Sequence, residues 1–275
     1  MASSGRRRFG VAVVVDPPVA DEVDGLRRAV GDPSLARIPP HLTLVPPVNV
    51  RRAELGDALG RLREAAAAVP PFVLTLGRIS TFMPDNPVLY LAVGGDVDRL
   101  TALRDAVFRP PLERRLSWPW VPHVTVADGI EPDRIPACLQ ALAGYSAVVP
   151  VDRVVLLEEQ AGRQWVPVAD AGLGSPARIG TGGLMVELTR GRLIDPRFAE
   201  LADTGYQSGD IVLTAHCQGD LAGWARARSG PDGVNTEVYV DPGLRGQGIG
   251  GHLRAHIDWA VATTRSGPPR TTTAS

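Results

Sequence analysis

Two short segments of the chain carry the same arrangement of a histidine and a threonine. "PPHLTLVPP" places His41 two residues before Thr43, and "VPHVTVADG" places His123 two residues before Thr125. An imidazole takes up and releases protons near neutral pH, while hydroxyl groups hold phosphate oxygens. The two motifs together favour acid–base chemistry at a phosphate group, with no metal ion required.

The spacing of each motif predicts where its side chains point. Residues two apart in a strand project to the same face. His41 and Thr43 therefore share one face, while Leu42 and Leu44 enter a core, and the second motif has the same alternation. One such motif alone indicates little, but two facing strands would bring both imidazoles to one cleft.

"PPHLTLVPP" and "WPWVPHVTVADG", about eighty residues apart, resemble the signature of the two-histidine (2H) phosphoesterases. This superfamily includes bacterial 2′-5′ RNA ligases and cyclic nucleotide phosphodiesterases, and the resemblance covers about residues 8–174. It implies that His41 and His123 are catalytic and that Thr43 and Thr125 orient the phosphate. The implied activity is metal-independent cleavage of 2′,3′-cyclic phosphates or 2′-5′ linkages, on RNA ends or small nucleotides.

Aromatic residues near the motifs are candidate substrate-binding groups. Phe82 and Tyr90 lie in a segment where 2H proteins often carry an aromatic residue, and Trp118 and Trp120 flank the second motif. Their rings could stack on a nucleobase or line the pocket. A place in the core or in a lid is the alternative for each of them.

The basic residue that 2H proteins often carry before this strand is absent from positions 86–88. Arg114 and Arg115 are the other candidates for a phosphate contact. Their alternative is a solvent-exposed run of charge.

The elements that must position these residues alternate between strand and helix patterns over the first 174 residues. Strands are predicted at 8–16, 41–48, 72–81, 88–95, 122–130, 151–160 and 163–171, and helices at 18–30, 52–69, 96–107 and 131–145. Each half of this region contains one His-x-Thr strand. We expect an α+β fold in which two duplicated lobes form two antiparallel sheets around a central cleft.

The domain boundaries follow from composition. "GLGSPARIGTGG" at 172–183 is rich in glycine and has no apolar period, which predicts a linker over 175–183. The first domain then spans 1–174 and a second module spans 184–264. Residues 265–275 have low complexity and predict a disordered tail.

The second module contains a glycine-rich loop between the strand-like "TEVYV" and a helix that begins at about Gly250. Backbone N–H groups in such a loop bind anions. The segment resembles the acetyl-CoA pyrophosphate loop of GNAT acyltransferases. That resemblance implies the following CoA-binding residues: Val240, Arg245, Gly246, Gln247, Gly248, Ile249 and Gly250.

A complete GNAT domain continues past this helix with further strands, whereas about a dozen residues follow here. We therefore interpret the module as an incomplete GNAT-like α/β unit. It is inactive, completes itself by dimerisation, or binds CoA alone. Glu237 is a candidate base for an acetyl transfer.

The composition excludes some classes of function. The net charge of −1 argues against general attraction to nucleic acid or anionic membranes. Cys138 and Cys217 are too few for a disulfide framework, and no stretch is long enough to span a membrane. We expect a cytoplasmic protein.

Three hypotheses remain open at this point. The first is a 2H phosphoesterase. The second is an N-acetyltransferase that uses acetyl-CoA and carries a 2H-like recognition domain. The third is a nucleotide-binding or RNA-binding module whose histidines only contact phosphate.

Overall fold

The computed structural model describes residues 6–174, 177–181, 184–191, 210–217, 220–231 and 233–265. The chain divides into two compact units, residues 1–175 and 176–275. Each unit is described by itself below.

The first unit contains eight strands and four α-helices within its described residues. The strands are β1 (Arg6–Val14), β2 (His41–Arg51), β3 (Phe72–Phe82), β4 (Asn86–Gly95), β5 (His123–Asp128), β6 (Ser146–Val151), β7 (Arg153–Gln160) and β8 (Gln164–Gly172). The helices are α1 (Val19–Val30), α2 (Leu55–Ala68), α3 (Val97–Val107) and α4 (Ile135–Ala141). Short 3-10 turns span Arg52–Glu54, Pro132–Arg134 and Ala161–Arg163.

The eight strands form one antiparallel sheet in the order β6-β3-β4-β5-β2-β1-β7-β8. Its two halves of four strands meet where β2 lies beside β5, through the single registered pair Leu42 and Val124. The prediction of two antiparallel sheets is corrected accordingly, because this pair joins them into one. Each half still contributes one His-x-Thr strand, at its inner edge.

Alternation of side chains separates the core from the polar face of this sheet. Leu42, Leu44, Val124 and Val126 are almost fully buried, as the strand spacing predicts. Helix α2 adds its apolar stripe to the same core, with Leu59 and Leu62 buried there. The residues between the buried positions of β2 and β5 are left on the opposite face.

Two strands differ from the sequence-based expectation. Strand β2 continues through Pro46 and Pro47, which lie at an irregularity in its register with β1, where a missing N–H costs no ladder bond. Strand β6 was not predicted at all. It contains Pro150, which is tolerated because β6 is an edge strand.

The second unit contains an antiparallel sheet in the order β13-β12-β11-β10-β9. Its described strands are β9 (Ala177–Thr181), β10 (Leu184–Gly191), β11 (Ile211–Cys217), β12 (Asp220–Gly230) and β13 (Gly233–Val240), followed by α5 (Ile249–Arg265). Leu253 and Ile257 of α5 pack into a core with Leu213 and Ala225. This confirms the predicted hairpin over 210–228 and the strand before the glycine-rich loop.

The linker predicted over 175–183 is wrong for Ala177–Thr181, which forms β9 and pairs with β10. The backbone hydrogen bonds of this strand are made with a neighbouring strand, and no local feature of the composition indicates them. The tail was predicted over 265–275, but Arg265 is the last residue of α5; residues 266–275 lie outside the described residues. Among the described helices, none combines the length and apolar character needed to cross a membrane.

Candidate active site

The pairing of β2 with β5 brings the two motifs together on one face of the sheet. Leu42 lies opposite Val124 in an antiparallel register, and both side chains enter the core. The residues on either side of this pair therefore project to the other face. They are the four predicted catalytic residues, His41, Thr43, His123 and Thr125. In this register His41 lies beside Thr125, and His123 lies beside Thr43.

The two imidazoles are held in the same way. His41 Nδ1 lies 2.9 Å from the Pro39 carbonyl oxygen, and His123 Nδ1 lies 2.7 Å from the Val121 carbonyl oxygen. A carbonyl oxygen only accepts hydrogen bonds, so Nδ1 carries the proton in both rings. Nε2 is then the nitrogen of each ring that exchanges a proton with a substrate.

The proline before each histidine explains why this geometry recurs. Pro40 and Pro122 restrict the preceding residue to an extended backbone conformation. The carbonyl two residues before each histidine is thus presented in a similar way in both motifs. The proline before each histidine therefore accounts for the same tautomer, with Nδ1 protonated, in both motifs.

Both histidines are shifted towards the neutral form, but by different surroundings. The pKa of His41 is lowered to about 4, mainly by burial; the hydrogen bond to the Pro39 carbonyl opposes this shift, and the charges of Arg27 and His123 add to it. Burial also lowers the pKa of His123, against the Val121 carbonyl. The influence of the His123 charge on His41 agrees with their position on one face of the sheet.

Arg27 is a feature of the site that sequence reasoning missed. Its guanidinium is almost fully buried and donates to the carboxylates of Asp32 and Asp24, each at 2.8 Å, and to the Ile38 carbonyl oxygen at 2.9 Å. These contacts fix a positive charge under the loop that leads to His41. In the sequence, Arg27 indicates only a basic residue in the last turn of an amphipathic helix.

Two predicted substrate-binding residues lie against His123. The Phe82 and Tyr90 rings stack with centroids 4.3 Å apart, and the His123 ring meets them edge-on at 5.1 Å and 5.3 Å. Tyr90 lies opposite Thr125 in the β4–β5 register. The structure thus brings both aromatic residues to the second motif, and their contact with a substrate stays a prediction.

Trp120 supports the first motif. Its indole Nε1 donates to the Thr43 carbonyl oxygen at 2.9 Å, and the Arg104 guanidinium lies 4.9 Å from its ring centroid. Trp118 is 71% exposed, which leaves its ring open to solvent. A base contact by Trp120 stays a prediction, and its observed contact ties the loop before β5 to β2.

Arg114 contacts the backbone of β2. Its Nη1 donates to the Pro47 carbonyl oxygen at 2.9 Å, so it anchors the loop before β5 to the far part of β2. This contact gives Arg114 a positioning role that the sequence did not reveal.

The glycine-rich loop of the second unit connects β13 to α5. Gly246 and Gly248 adopt positive φ values of 79° and 82°, which other residues rarely adopt. Asp241 accepts from the Gly243 N–H at 2.8 Å, and Arg245 Nε donates to the Val240 carbonyl oxygen at 3.1 Å. Gln247 and the helix start at Ile249 and Gly250 complete the predicted set. CoA binding by these residues stays a prediction.

Comparison with known proteins identifies the class of the first unit. A model described as the 2′-5′ RNA ligase superfamily matches residues 15–163, more than half of the chain, and spans both His-x-Thr strands. Together with the paired motifs, this match confirms a phosphoesterase domain of the two-histidine class. The chain belongs to the 2′-5′ RNA ligase superfamily. The match ends before the second unit, so the GNAT-like interpretation stays a prediction.

Similar proteins cover the same part of the chain. A Bacillus pumilus (strain SAFR-032) protein named "Putative phosphoesterase" is 33% identical over 126 residues, which are 46% of this chain and 72% of that protein. An Oceanobacillus iheyensis protein whose name describes it in the same words is 28% identical over 160 residues, or 58% of this chain and 93% of its own length.

Among solved structures, apo LigT from E. coli is 20% identical with a TM-score of 0.45, and the match covers 62% of this chain and 99% of LigT. The protein TT0787 of Thermus thermophilus is 20% identical with a TM-score of 0.42, over 60% and 97% of the two chains.

Proposed function

We propose that the first unit cleaves 2′,3′-cyclic phosphates or 2′-5′ phosphodiester linkages of RNA ends or small nucleotides by paired-histidine acid–base catalysis. The observation that carries the proposal is the pair of Nδ1–carbonyl hydrogen bonds, which leaves Nε2 as the proton-exchanging nitrogen of two imidazoles on one face of the sheet. The match to the 2′-5′ RNA ligase superfamily supports a phosphodiester as the class of substrate.

The environments of the two rings support a division of roles. His41 has a pKa of about 4 and lies within the field of Arg27, so it is neutral near pH 7 and suits the role of base. The pKa of His123 is lowered by burial, and the negative charge of a bound phosphate would favour its imidazolium form. We assign His123 the role of acid.

In hydrolysis of a 2′,3′-cyclic phosphate, His41 Nε2 takes a proton from water as the water oxygen bonds to phosphorus. The bond from phosphorus to one ribose oxygen breaks, and that oxygen receives the proton of His123 Nε2. Thr43 and Thr125 hydroxyl groups donate to the non-bridging oxygens and stabilise their charge. The product is a nucleoside monophosphate, and the two histidines exchange protons with solvent to return to their starting states.

The same pair serves 2′-5′ ligation when a ribose hydroxyl takes the place of water. His41 then deprotonates the hydroxyl, and the oxygen that leaves the cyclic phosphate is again protonated by His123. Ligation and cleavage therefore use one site, and the balance between them depends on which nucleophile occupies the cleft.

The test is incubation with adenosine 2′,3′-cyclic phosphate and with 2′-5′-linked and 3′-5′-linked dinucleotides, in EDTA, followed by ³¹P NMR. We expect a nucleoside monophosphate from the cyclic substrate, and its loss in His41→Ala and His123→Ala. His252→Ala is the matched control, since His252 is an exposed histidine of the second unit. Activity abolished by EDTA would contradict the metal-free mechanism, and activity kept in both site variants would exclude the site.

A second candidate function concerns the second unit. We propose that its loop binds the pyrophosphate of CoA or acetyl-CoA, because Gly246 and Gly248 hold the left-handed backbone that lets N–H groups converge on an anion. Calorimetric titration with acetyl-CoA tests this, with Arg245→Ala as the site variant and Arg254→Ala on α5 as the control. Absence of heat up to millimolar acetyl-CoA would exclude CoA binding by this loop.

A further inference from the structure

Arg78 is an exposed arginine in an unusual backbone conformation on β3. Its φ is 41°, in the left-handed region that non-glycine residues rarely adopt because it strains the backbone. Among the described residues it has no hydrogen-bond, ion-pair or ring partner. A strained, unpaired cation of this kind indicates a use outside the fold itself.

A β-bulge at Arg78 explains the conformation. Gly77 lies opposite Ala92 and Ile79 lies opposite Leu91, so Arg78 is one extra residue on β3 between two consecutive positions of β4. Bulges of this type re-aim a side chain and occur often beside active sites. Nothing local in the sequence, such as a glycine or asparagine at 78, predicts the bulge.

The bulge directs Arg78 to the face that carries the two histidines. Leu76 and Ile79, on either side, are both buried in the core. The two residues between them therefore belong to the other face, and Arg78 is exposed there. This is the face of Tyr90, which contacts His123.

One row of residues crosses the sheet from Arg78 to the site. Ala92 lies opposite Gly77 on one side and opposite His123 on the other, so Arg78 is two strands away from His123. Two inter-strand spacings amount to about 10 Å. Ala92 has a small side chain, and an extended arginine reaches across more than one strand.

We propose that Arg78 binds a second phosphate of the substrate, on the β3 side of the reacting phosphate. This assignment rests on the proposed function, because it takes the reacting phosphate to lie between the two histidines. The guanidinium fork suits a terminal phosphate, which accepts two parallel hydrogen bonds. The site would then prefer a cyclic nucleotide with a 5′-phosphate, or an RNA end, over a cyclic nucleoside phosphate without one.

The experiment compares binding and turnover in the full-length protein. Calorimetry measures adenosine 3′,5′-bisphosphate against adenosine 3′-monophosphate, and kinetics measure adenosine 2′,3′-cyclic phosphate with and without a 5′-phosphate. We expect Arg78→Met to weaken bisphosphate binding about tenfold, and monophosphate binding less than twofold. Arg78→Lys should keep part of the preference.

Two further variants serve as controls. Arg78→Gly removes the charge and relieves the left-handed backbone, so it should fold at least as stably as the wild type and still lose the preference. Arg28→Met removes an exposed arginine of α1, a helix whose Val23 packs into the core, and should leave the preference unchanged.

A wild-type protein that binds both nucleotides equally, or an Arg78→Met protein that keeps the preference, would overturn the proposal. The proposed function fails separately. If the wild type turns over neither cyclic substrate, while Arg78→Met abolishes the preference in binding, then the phosphate contact stands and the hydrolytic activity does not.

Discussion

The two His-x-Thr strands are alike in geometry and different in electrostatics. In both, Nδ1 of the histidine donates to the carbonyl oxygen two residues earlier, and a proline precedes the ring. Arg27 acts on His41, however, whereas the aromatic rings of Phe82 and Tyr90 border His123. A duplicated motif can thus give two identical tautomers in two different electrostatic environments, and this difference is the basis of the proposed base and acid.

The largest effect is expected from removing either ring. His41→Ala and His123→Ala should each lower kcat/KM by about 10²–10⁴-fold, the range for loss of a general acid or base. The two variants should differ in pH dependence: His41→Ala loses the acidic limb, and His123→Ala loses the alkaline limb. Steady-state kinetics across the acidic and neutral range measure this, with His252→Ala as the control. Loss of the same limb in both variants would contradict the division of roles.

The burial of His41 predicts a stability that depends on pH. Its folded pKa of about 4 is below its unfolded value of 6.5, so the unfolded state binds more protons between these values. The contribution of neutral His41 to the free energy of unfolding is therefore fully present above pH 6.5 and declines as the pH falls towards 4. Between about pH 7 and about pH 4.5 the free energy of unfolding should fall by about 2 kcal/mol more in the wild type than in His41→Gln. Urea denaturation measures this. An equal fall in the free energy of unfolding of the wild type and His41→Gln would show that His41 is not the group responsible.

Arg27→Met should remove the asymmetry between the two motifs. Without the guanidinium charge, and with Asp32 left without its ion-pair partner, the pKa of His41 should rise and shift the acidic limb of kcat/KM to higher pH. At pH values below the shifted pKa, less of His41 is in the neutral form that acts as base, so kcat/KM should fall there. The neighbouring Arg28→Met is the control, and thermal denaturation separates the electrostatic effect from loss of the buried ion pair. An unchanged acidic limb in a folded Arg27→Met protein would exclude this role for Arg27.

The smallest effect is expected from removing the hydrogen bond between Trp120 and the Thr43 carbonyl oxygen, which joins the two motifs. Trp120→Phe keeps a ring but removes the hydrogen bond to the Thr43 carbonyl oxygen, so the free energy of unfolding should fall by about 1 kcal/mol. Denaturation curves measure the change. Trp118→Phe, at an exposed position, should leave stability unchanged. A larger loss in Trp118→Phe than in Trp120→Phe would contradict the support assigned to Trp120.

The sequence predicted those parts of the site that depend on local periodicity. His41, Thr43, His123 and Thr125 share one face because strand spacing requires it, and this much was visible without coordinates. Phe82 and Tyr90 could also be proposed from their place between predicted strands. Their contact with His123 follows from the order of the strands in the sheet, which the sequence does not specify.

The parts that were missed depend on tertiary contacts. The charge of Arg27 acts on His41 because contacts with Asp32 and the Ile38 carbonyl oxygen hold the guanidinium in place, and no spacing rule links positions 27 and 41. The bulge at Arg78 has no sequence signal, since arginine is not a residue that favours positive φ. Strands β6 and β9 were missed because Pro150 and a glycine-rich composition indicated other structures.

The pH dependence of kcat/KM for adenosine 2′,3′-cyclic phosphate tests the central claim most directly. Both histidine pKa values are lowered in the free protein, that of His41 to about 4. With His41 as base and His123 as acid, kcat/KM should be bell-shaped, with its maximum between pH 4 and 6.5. A profile that rises to a plateau above about pH 7 would contradict the acid–base pair.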